Sequence, residues 1–307
     1  MIVFSFSRTL RYPYYDIKHV LINEPRKDKR QRPLMTTIQC NHFDFHYNLT
    51  YNPGKPVTLH LIVPRAVSAP RPLLILVHGG GWRTGKKEGM LQLALDVAAH
   101  GFACATISYT LSDVAPFPAA IQDVKTAIRF LRSVAEEYGL DPERFAGLGC
   151  SAGAHLISLA ALAGPEAGWD DGAYAGYPST LQAFIDICGP TDFPSFTRFC
   201  LNGDVPPAEN PYFQFLDYGK PGFEERERLA SPLTHVKSGA PPALVIHGQE
   251  DPIVPFAQAE TFVEALNNAG VCAQLVSYPQ TDHGVLYVHY EKNVPLIVNF
   301  LQETLNL

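Results

Sequence analysis

The stretch LGCSAGAHL, residues 148–156, sets a serine between two glycines at the spacing G-x-S-x-G. A short apolar segment precedes it and helix formers follow it, which predicts a sharp turn from a strand into a helix. Small neighbours suit such a turn, because the backbone of Ser151 is strained there and larger side chains would clash. A serine hydroxyl is a weak nucleophile alone, so chemistry at Ser151 needs a base, a group that orients the base and donors for an oxyanion.

Strands and helices alternate on both sides of this turn. Continuous apolar runs predict strands at 57–63, 72–81, 102–109, 144–149, 184–189, 243–248 and 273–279, the second of which opens into a glycine loop. Helical spacing predicts helices at 88–100, 118–138, 152–163, 256–269 and 291–305. This alternation indicates βαβ units, so the predicted fold class is α/β, with a mainly parallel central sheet flanked by helices.

Residues 190–235 interrupt the alternation, being rich in Pro, Phe, Tyr and Asp without a clean period. We interpret the stretch 164–235 as a small cap or lid insertion over one face, inside a single catalytic domain that spans 36–307. Residues 1–35 form a separate basic extension. The aromatic residues of the insertion are candidates for an apolar acyl or aryl pocket, or for ordinary packing of the cap: Phe193, Phe196, Phe199, Tyr212, Phe213, Phe215 and Tyr218.

A second glycine-rich stretch, HGGGW at 78–82, follows a predicted buried strand. Three consecutive glycines let the main chain approach a substrate oxygen closely and aim N–H groups at it. A flexible turn at a strand end is the ordinary alternative. Together with Ser151, the stretch predicts an oxyanion-binding loop.

An acid and a histidine follow the last two predicted strands. Asp251 lies in HGQEDPIVP (247–255), and His283 lies in YPQTDHG (278–284). Because the carboxyl ends of parallel strands meet at one edge of a sheet, both side chains can reach Ser151.

These positions have competitors. Glu250 rivals Asp251 as the acid, while His289 lies past the loop and His247 lies inside the strand–acid junction. A loop histidine at the surface is also ordinary. The chain order favours function, because oxyanion loop, serine, acid and histidine follow one another as in a known serine-triad arrangement.

On these motifs the chain resembles an α/β-hydrolase. The resemblance is to carboxylesterases with an HGGGW oxyanion loop, a group that includes hormone-sensitive-lipase-like and feruloyl- or acetyl-xylan-esterase-like enzymes. It covers about residues 40–305 and rests on HGGGW (78–82), YTLSDVAPFPAAIQDVKTAIRFLR (109–132), YGLDPERFAGLGCSAGAHL (138–156), GPTDF (189–193), SPLTHVKSGAPPALVIHGQEDPIVP (231–255) and the His283 loop. Cys150 and Gly147 depart from the pattern, but neither departure removes a catalytic atom.

The resemblance implies roles for three side chains. Ser151 would be the nucleophile, His283 the general base and then the acid, and Asp251 the group that fixes the histidine tautomer. The implied reaction is acyl transfer in two steps, with water as the second nucleophile. No metal or organic cofactor is implied.

Further residues are assigned in the same way. The backbone N–H of Ala152, with those of Gly79 and Gly80, would bind the oxyanion, and which two glycines of the loop donate stays open. Trp82 and Tyr109 are candidates for substrate binding.

The predicted function is hydrolysis of short-chain acyl or aryl esters, including feruloyl or acetyl esters of plant cell walls. One alternative is an amide hydrolase, either an arylformamidase or a peptidase-type enzyme, although no propeller-length N-terminal domain accompanies the motifs. Another is a non-catalytic binding protein on a hydrolase scaffold, which the presence of both serine and histidine disfavours.

Composition limits the partners. Hydrophobic residues make up 46% of the 307 residues, charged residues 18%, and the net charge is −6, which gives no basic field for nucleic acid. No apolar run reaches the roughly 18–20 residues of a membrane helix. We therefore expect a small-molecule ester as partner, with neither nucleic acid nor membrane, and leave a homo-oligomer open.

The extension and the cysteines bear on location. Residues 1–35 hold eight lysines and arginines against three acids, which suits a loosely docked arm and not a secretory signal. The six cysteines show no C-x-x-C spacing, so free thiols in a reducing compartment are expected. The expected location is cytoplasmic, with secretion left open.

Overall fold

The computed structural model of the protein describes residues 36–39, 42–66, 68 and 70–307. The strands in that part of the chain are β1 Thr36–Gln39, β2 Phe43–Thr50, β3 Thr58–Pro64, β4 Arg71–Val77, β5 Ala103–Ile107, β6 Leu140–Cys150, β7 Ala183–Ile187, β8 Ala243–Gly248 and β9 Ala273–Tyr278. The α-helices are α1 Leu91–Ala98, α2 Ala119–Ser133, α3 Ala135–Tyr138, α4 Ala152–Leu162, α5 Phe193–Leu201, α6 Pro211–Phe215, α7 Phe223–Ala230, α8 Ala257–Asn268, α9 Val285–Val288 and α10 Tyr290–Thr304. Short 3₁₀ helices lie at Lys87–Met90, Pro165–Ala167 and Pro232–His235.

All nine of these strands form one sheet in the order β1-β2-β3-β5-β4-β6-β7-β8-β9. The six strands from β5 to β9 along that order run parallel, and β1, β2 and β3 are joined by antiparallel pairing, which also joins β3 to β5. The predicted α/β class with a mainly parallel sheet is confirmed.

Helices bury both faces of the sheet. In β4, Leu73, Ile75 and Val77 pack into one core and Leu74 and Leu76 into the other, all of them fully buried. Helices α2, α4 and α8 contribute to the first core, and α1 and α10 to the second. This arrangement explains why the strands read as continuous apolar runs instead of alternating ones.

The strand order reverses at β4, which has β5 on one side and β6 on the other. In open α/β sheets such a reversal leaves a crevice outside the carboxyl ends of the strands, where ligands bind. The stretch 78–82 leaves β4 and Ser151 leaves β6 at this crevice, while Asp251 follows β8 and His283 follows β9. The sheet therefore gathers the sequence-predicted motifs at one edge.

One predicted helix is divided. The pattern predicts a single helix over 118–138, but α2 ends at Ser133 and α3 begins at Ala135, with Val134 in a non-helical conformation between them. The Ser133 hydroxyl donates to the carbonyl of Phe130, a local bond that competes with the helix ladder. Gly139, in the left-handed conformation, ends α3 as predicted.

The predicted insertion is not one segment. Strand β7 lies inside the range 164–235 and pairs with β6 and β8, so the stretch 164–182 only links α4 to the sheet. Helices α5, α6 and α7 come after β7 and before β8. The interruption predicted at 190–235 contains α5, α6 and α7, and only the extension of the insertion back to 164 crosses a strand of the sheet.

Two further predictions concern the N-terminal extension and membrane-spanning helices. The basic extension 1–35 lies outside the described residues. None of the helices in the described residues is both long and apolar enough to cross a bilayer.

Candidate active site

Ser151 occupies a strained turn between β6 and α4. Its φ of 56° and ψ of −121° are rare for a residue with a side chain. Its N–H donates to the carbonyl of Ile187, 2.8 Å away, which ties the turn to β7. A Cβ on Gly149 would overlap the backbone of Gly153, and a Cβ on Gly153 would overlap the carbonyl of Val77. The spacing G-x-S-x-G is therefore a packing requirement of this turn.

A hydrogen-bonded chain of three side chains joins the ends of β6, β8 and β9. His283 Nε2 lies 2.9 Å from Ser151 Oγ, and His283 Nδ1 lies 2.6 Å from Asp251 Oδ2. Because the carboxylate accepts the proton of Nδ1, Nε2 is left free to accept the proton of the serine hydroxyl. The structure thus brings together the three residues that sequence motifs single out.

Asp251 is held as a carboxylate. Its side chain is fully buried, and Oδ1 accepts the N–H groups of Ile253 and Val254 at 2.8 and 2.9 Å. Burial by itself would raise the pKa of Asp251, but hydrogen bonds from His247, His283 and the Val254 N–H outweigh it and hold the pKa well below its usual value. The rival acid, Glu250, has an exposed side chain.

His247 takes part in this network, although its position inside a strand made it look poorly placed. Its ring is fully buried, with Nε2 2.9 Å from the Val254 carbonyl and 3.2 Å from Asp251 Oδ2. Nδ1 has no hydrogen-bond partner within the described residues, whereas a proton on Nε2 can be donated to these oxygens. The four-residue separation of His247 and Asp251 in HGQED was the available signal.

His289 serves the loop that carries His283. Its Nε2 lies 2.9 Å from Thr281 Oγ1, and its ring stacks on Tyr278 at 4.0 Å. These contacts join the chain after His283 to the chain before it.

The loop 78–82 packs directly on the serine turn. A Cβ on Gly79 would lie 2.8 Å from the carbonyl oxygen of Cys150 and 3.2 Å from Ser151 Cβ, so only glycine allows this approach. Gly80 has φ of 116°, and its carbonyl accepts the Thr84 N–H at 3.0 Å, which folds the loop back on itself. The N–H of Ala152, in the first turn of α4, has no acceptor within that helix.

Tyr109 packs against His78, the first residue of this loop. It is only 3% exposed, its hydroxyl donates to the His78 carbonyl at 3.2 Å, and its ring stacks on His78 at 4.4 Å. It is not among the residues that line the cavity beside Ser151, and its role in substrate binding stays a prediction. A tyrosine after a buried strand can face either layer, and the sequence does not distinguish them.

A largely apolar cavity of about 400 Å³ lies beside Ser151. Its wall includes Gly81, Trp82, Ser151, Pro190, Phe196, Phe199, Val205, Tyr212, Pro252, Ile253 and Val254. Of the seven aromatic residues predicted to form a pocket, three therefore line it and four do not. Phe213 and Tyr218 instead pack on each other at 4.5 Å, which is ordinary cap packing.

Trp82 is clamped at the base of this cavity. Its indole N–H donates to His155 Nδ1 at 3.1 Å, and its ring stacks on Phe215 at 4.5 Å. His155 in turn donates from Nε2 to the Ala230 carbonyl at 2.7 Å, and burial lowers the pKa of His155 to about 3, so the ring is neutral. These fixed contacts make Trp82 a rigid wall of the cavity that Ser151 also lines.

Comparison with known proteins identifies the class. The BD-FAE family model matches residues 59–266, more than half of the chain, so the chain belongs to the BD-FAE family and has the α/β-hydrolase fold.

Among curated relatives, esterase LipQ of Mycobacterium tuberculosis is 35% identical over 237 residues, which cover 76% of this chain and 55% of the relative. The chain spans about half the length of the first curated relatives it matches.

Two solved structures are similar in fold. A truncated form of a carbohydrate esterase from gut microbiota superposes with a TM-score of 0.76 at 25% identity, over 87% of this chain and 98% of the other. Butyrate-bound esterase Est2 of the planctomycete Thermogutta terrifontis gives a TM-score of 0.70 at 25% identity, over 83% of this chain and 93% of the other.

Proposed function

We propose that this protein is a serine carboxylesterase that hydrolyses short acyl or aryl esters through an acyl-enzyme. The observation that carries the proposal is the chain of hydrogen bonds from Asp251 through His283 to Ser151, which opens on an apolar cavity. Esterase LipQ, 35% identical, supports the same reaction class.

In the first half-reaction Ser151 attacks the ester carbonyl while His283 Nε2 takes the hydroxyl proton. Asp251, ionised and hydrogen-bonded to Nδ1, stabilises the imidazolium that forms. The tetrahedral oxyanion accepts hydrogen bonds from the N–H of Ala152 and from the glycine loop at 79–80, whose close approach to Ser151 suits this role. His283 then gives its proton to the leaving alkoxide, and the alcohol departs.

In the second half-reaction a water molecule attacks the acyl-enzyme. His283 removes one proton from that water, the second tetrahedral intermediate uses the same N–H donors, and the proton returns to Ser151 Oγ as the acid leaves. All steps need only groups of this chain and water.

We assign the apolar cavity to the acyl or aryl part of the substrate. Trp82, Phe196 and Tyr212 give it flat, rigid walls, which favour planar aryl or short alkyl groups over charged ones. Helices α5 and α6, with the loop that joins them, supply more than half of that wall. We therefore treat α5, α6 and α7 as the cap of one catalytic domain that spans 36–307. The butyrate in the Est2 structure is consistent with a short acyl group.

A cytoplasmic location is part of the proposal. The cysteines in the described residues, Cys104, Cys150, Cys188, Cys200 and Cys272, are free thiols, which suits a reducing compartment. The net charge of −6 supports a neutral small molecule as partner and not a polyanion.

The test compares wild type with Ser151→Ala on p-nitrophenyl acetate, butyrate and octanoate and on methyl ferulate. We expect Ser151→Ala to lose at least about 10⁴-fold in kcat while keeping its circular dichroism spectrum. Ser133→Ala, at the far end of α2, is the matched control and should retain wild-type rates. Equal rates for wild type and Ser151→Ala would refute the proposal, and turnover of N-formylkynurenine alone would redirect it to amide chemistry.

A further inference from the structure

Two thiols lie directly beneath the serine turn. Cys150 ends β6 immediately before Ser151, Cys188 follows β7, and their sulfur atoms are 4.0 Å apart. The register of the two strands sets Cys150 opposite Ile187. Cys188 itself has φ of 50°, a left-handed conformation that is unusual for a residue with a side chain. The turned backbone directs the Cys188 sulfur toward Cys150.

The two cysteines lie close to His283, Asp251 and Gly79. The Cys188 thiol donates to the backbone carbonyl of His283, with sulfur and oxygen 3.7 Å apart. Its sulfur, a carboxylate oxygen of Asp251 and a ring nitrogen of His283 all lie within 4.8 Å of one another. The carbonyl of Cys150 is the backbone surface on which Gly79 packs. None of the steps proposed for ester hydrolysis uses either sulfur.

The two thiols differ in accessibility. Cys150 is partly exposed, whereas Cys188 is fully buried. The neighbouring Cys150 thiol and burial both raise the pKa of Cys188, so Cys188 is protonated in the reduced pair. An oxidant from solvent therefore meets Cys150 first.

We propose that Cys150 and Cys188 form an oxidisable dithiol, and that its closure to a disulfide switches off hydrolysis at Ser151. The inference rests on the proposed esterase function and names its regulation by peroxides. Disulfides in proteins of reducing compartments are commonly transient and redox-sensing, which agrees with a pair that is reduced at rest.

The chemistry balances with hydrogen peroxide as the oxidant. The Cys150 sulfur attacks one peroxide oxygen, the O–O bond breaks, and a sulfenic acid and one water form. The Cys188 sulfur then attacks the Cys150 sulfur, the S–O bond breaks, and hydroxide leaves with the thiol proton as a second water. Each sulfur is oxidised by one electron, and peroxide is reduced to two waters.

Closure disturbs the site because the sulfurs must approach by about 2 Å to reach disulfide length. That movement shifts the backbone that joins Cys150 to Ser151 and presses on Gly79. It also removes the S–H donor that binds the His283 carbonyl. A misplacement of about 1 Å in a catalytic group can lower a rate about 10²-fold, so the oxidised form should be nearly inactive.

The experiment treats reduced full-length protein with graded hydrogen peroxide and follows two quantities. Mass spectrometry of peptides reports a Cys150–Cys188 crosslink, with the loss of two hydrogen atoms, and p-nitrophenyl acetate hydrolysis reports activity. We expect the crosslink and a loss of about tenfold or more to rise together, and dithiothreitol to reverse both.

Three variants separate this pair from other oxidation. Cys150→Ala should form no crosslink and keep its own untreated rate in peroxide. Cys188→Ala should also form no crosslink, which tests the pairing even if Cys150→Ala folds poorly. Cys272→Ala, which removes an exposed thiol, should stay as sensitive as wild type.

The outcomes are distinct. A crosslink without loss of activity, or equal loss of activity in wild type and Cys150→Ala, would overturn the proposal. If reduced wild type hydrolyses no ester, the proposed function is wrong, and labelling of Ser151 by a fluorophosphonate then serves as the readout. Labelling that oxidation blocks would support the switch, and labelling that oxidation leaves unchanged would reject it.

Discussion

The serine turn and the aromatic cavity beside it adjoin each other but depend on different kinds of contact. At the turn, backbone meets backbone, and a single added Cβ at Gly149 or Gly153 would overlap a neighbouring carbonyl or amide group. In the cavity, aromatic side chains of α5 and α6 meet one another, and Phe199 at the rim is 40% exposed. The turn therefore tolerates almost no substitution, whereas the cavity can change its lining and keep its fold.

The largest expected effect is at the turn. Gly153→Ala should destabilise the protein by at least about 3 kcal/mol and abolish hydrolysis, because its Cβ meets the Val77 carbonyl in the centre of the sheet. Gly89→Ala, where an added Cβ meets no atom within 4 Å, should shift stability by less than about 0.5 kcal/mol. Urea unfolding measures both, and similar losses in the two variants would show that the close backbone contact at Gly153 does not govern stability.

The next effect concerns the acid. Asp251→Asn should lower kcat by about 10⁴-fold with little change in KM, because an amide can hold His283 in the wrong tautomer. Glu250→Gln, at the neighbouring exposed position, should stay within about twofold of wild type. Steady-state rates on p-nitrophenyl acetate decide between them, and a larger loss at Glu250 would mean that the acid has been misassigned.

A smaller expected effect is the pH dependence of stability that comes from His155, the residue that holds Trp82 in the cavity wall. The pKa of buried His155 is lowered from 6.5 to about 3, so the unfolded chain binds a proton that the folded chain does not as pH falls below 6.5. Stability should therefore fall with pH in that range, by up to about 1.4 kcal/mol for each pH unit from this residue.

Replacing His155 by a residue that does not titrate tests whether His155 causes this fall in stability. His155→Gln can still accept the Trp82 N–H and donate to the Ala230 carbonyl, so it should lose about 2 kcal/mol less than wild type between pH 6.5 and pH 4.5. Urea unfolding at the two pH values measures the difference. Parallel curves for the two proteins would show that His155 does not titrate on unfolding.

The smallest effect is at the cavity rim. Phe199→Ala should raise the ratio of octanoate to acetate turnover by about threefold to tenfold without loss of stability, because it widens the cavity. Tyr218→Ala is a matched control, since Tyr218 is 43% exposed and does not line the cavity. An unchanged ratio in Phe199→Ala would place the acyl group elsewhere.

The same contrast explains what could be predicted from the sequence. Ser151, Asp251 and His283 could be found because each follows a strand, and the ends of parallel strands share one edge. Gly79 could be found because backbone approach demands glycine. These are constraints of the main chain, and they determine residue type and spacing directly.

What could not be predicted depends on the direction of side chains. Tyr109 supports the loop from below although it follows a buried strand, and His247 reaches Asp251 although it lies within one. Only three of the seven aromatic candidates line the cavity, because the packing of α5 and α6 decides which rings face inward. The break at Val134 is a local change of backbone dihedral angles that the periodicity of the helix does not reveal.

The order of the site residues along the chain has a consequence for the newly made polypeptide. Residues of the site leave β4, β6, β8 and β9, and His283 comes from the last strand of the described sheet. A ribosome that has extended the chain through the serine turn has still to add His283, more than a hundred residues later. The strained serine is therefore made long before the histidine to which it is hydrogen-bonded, and the chain of hydrogen bonds from Asp251 to Ser151 can form only after β9 has joined the sheet.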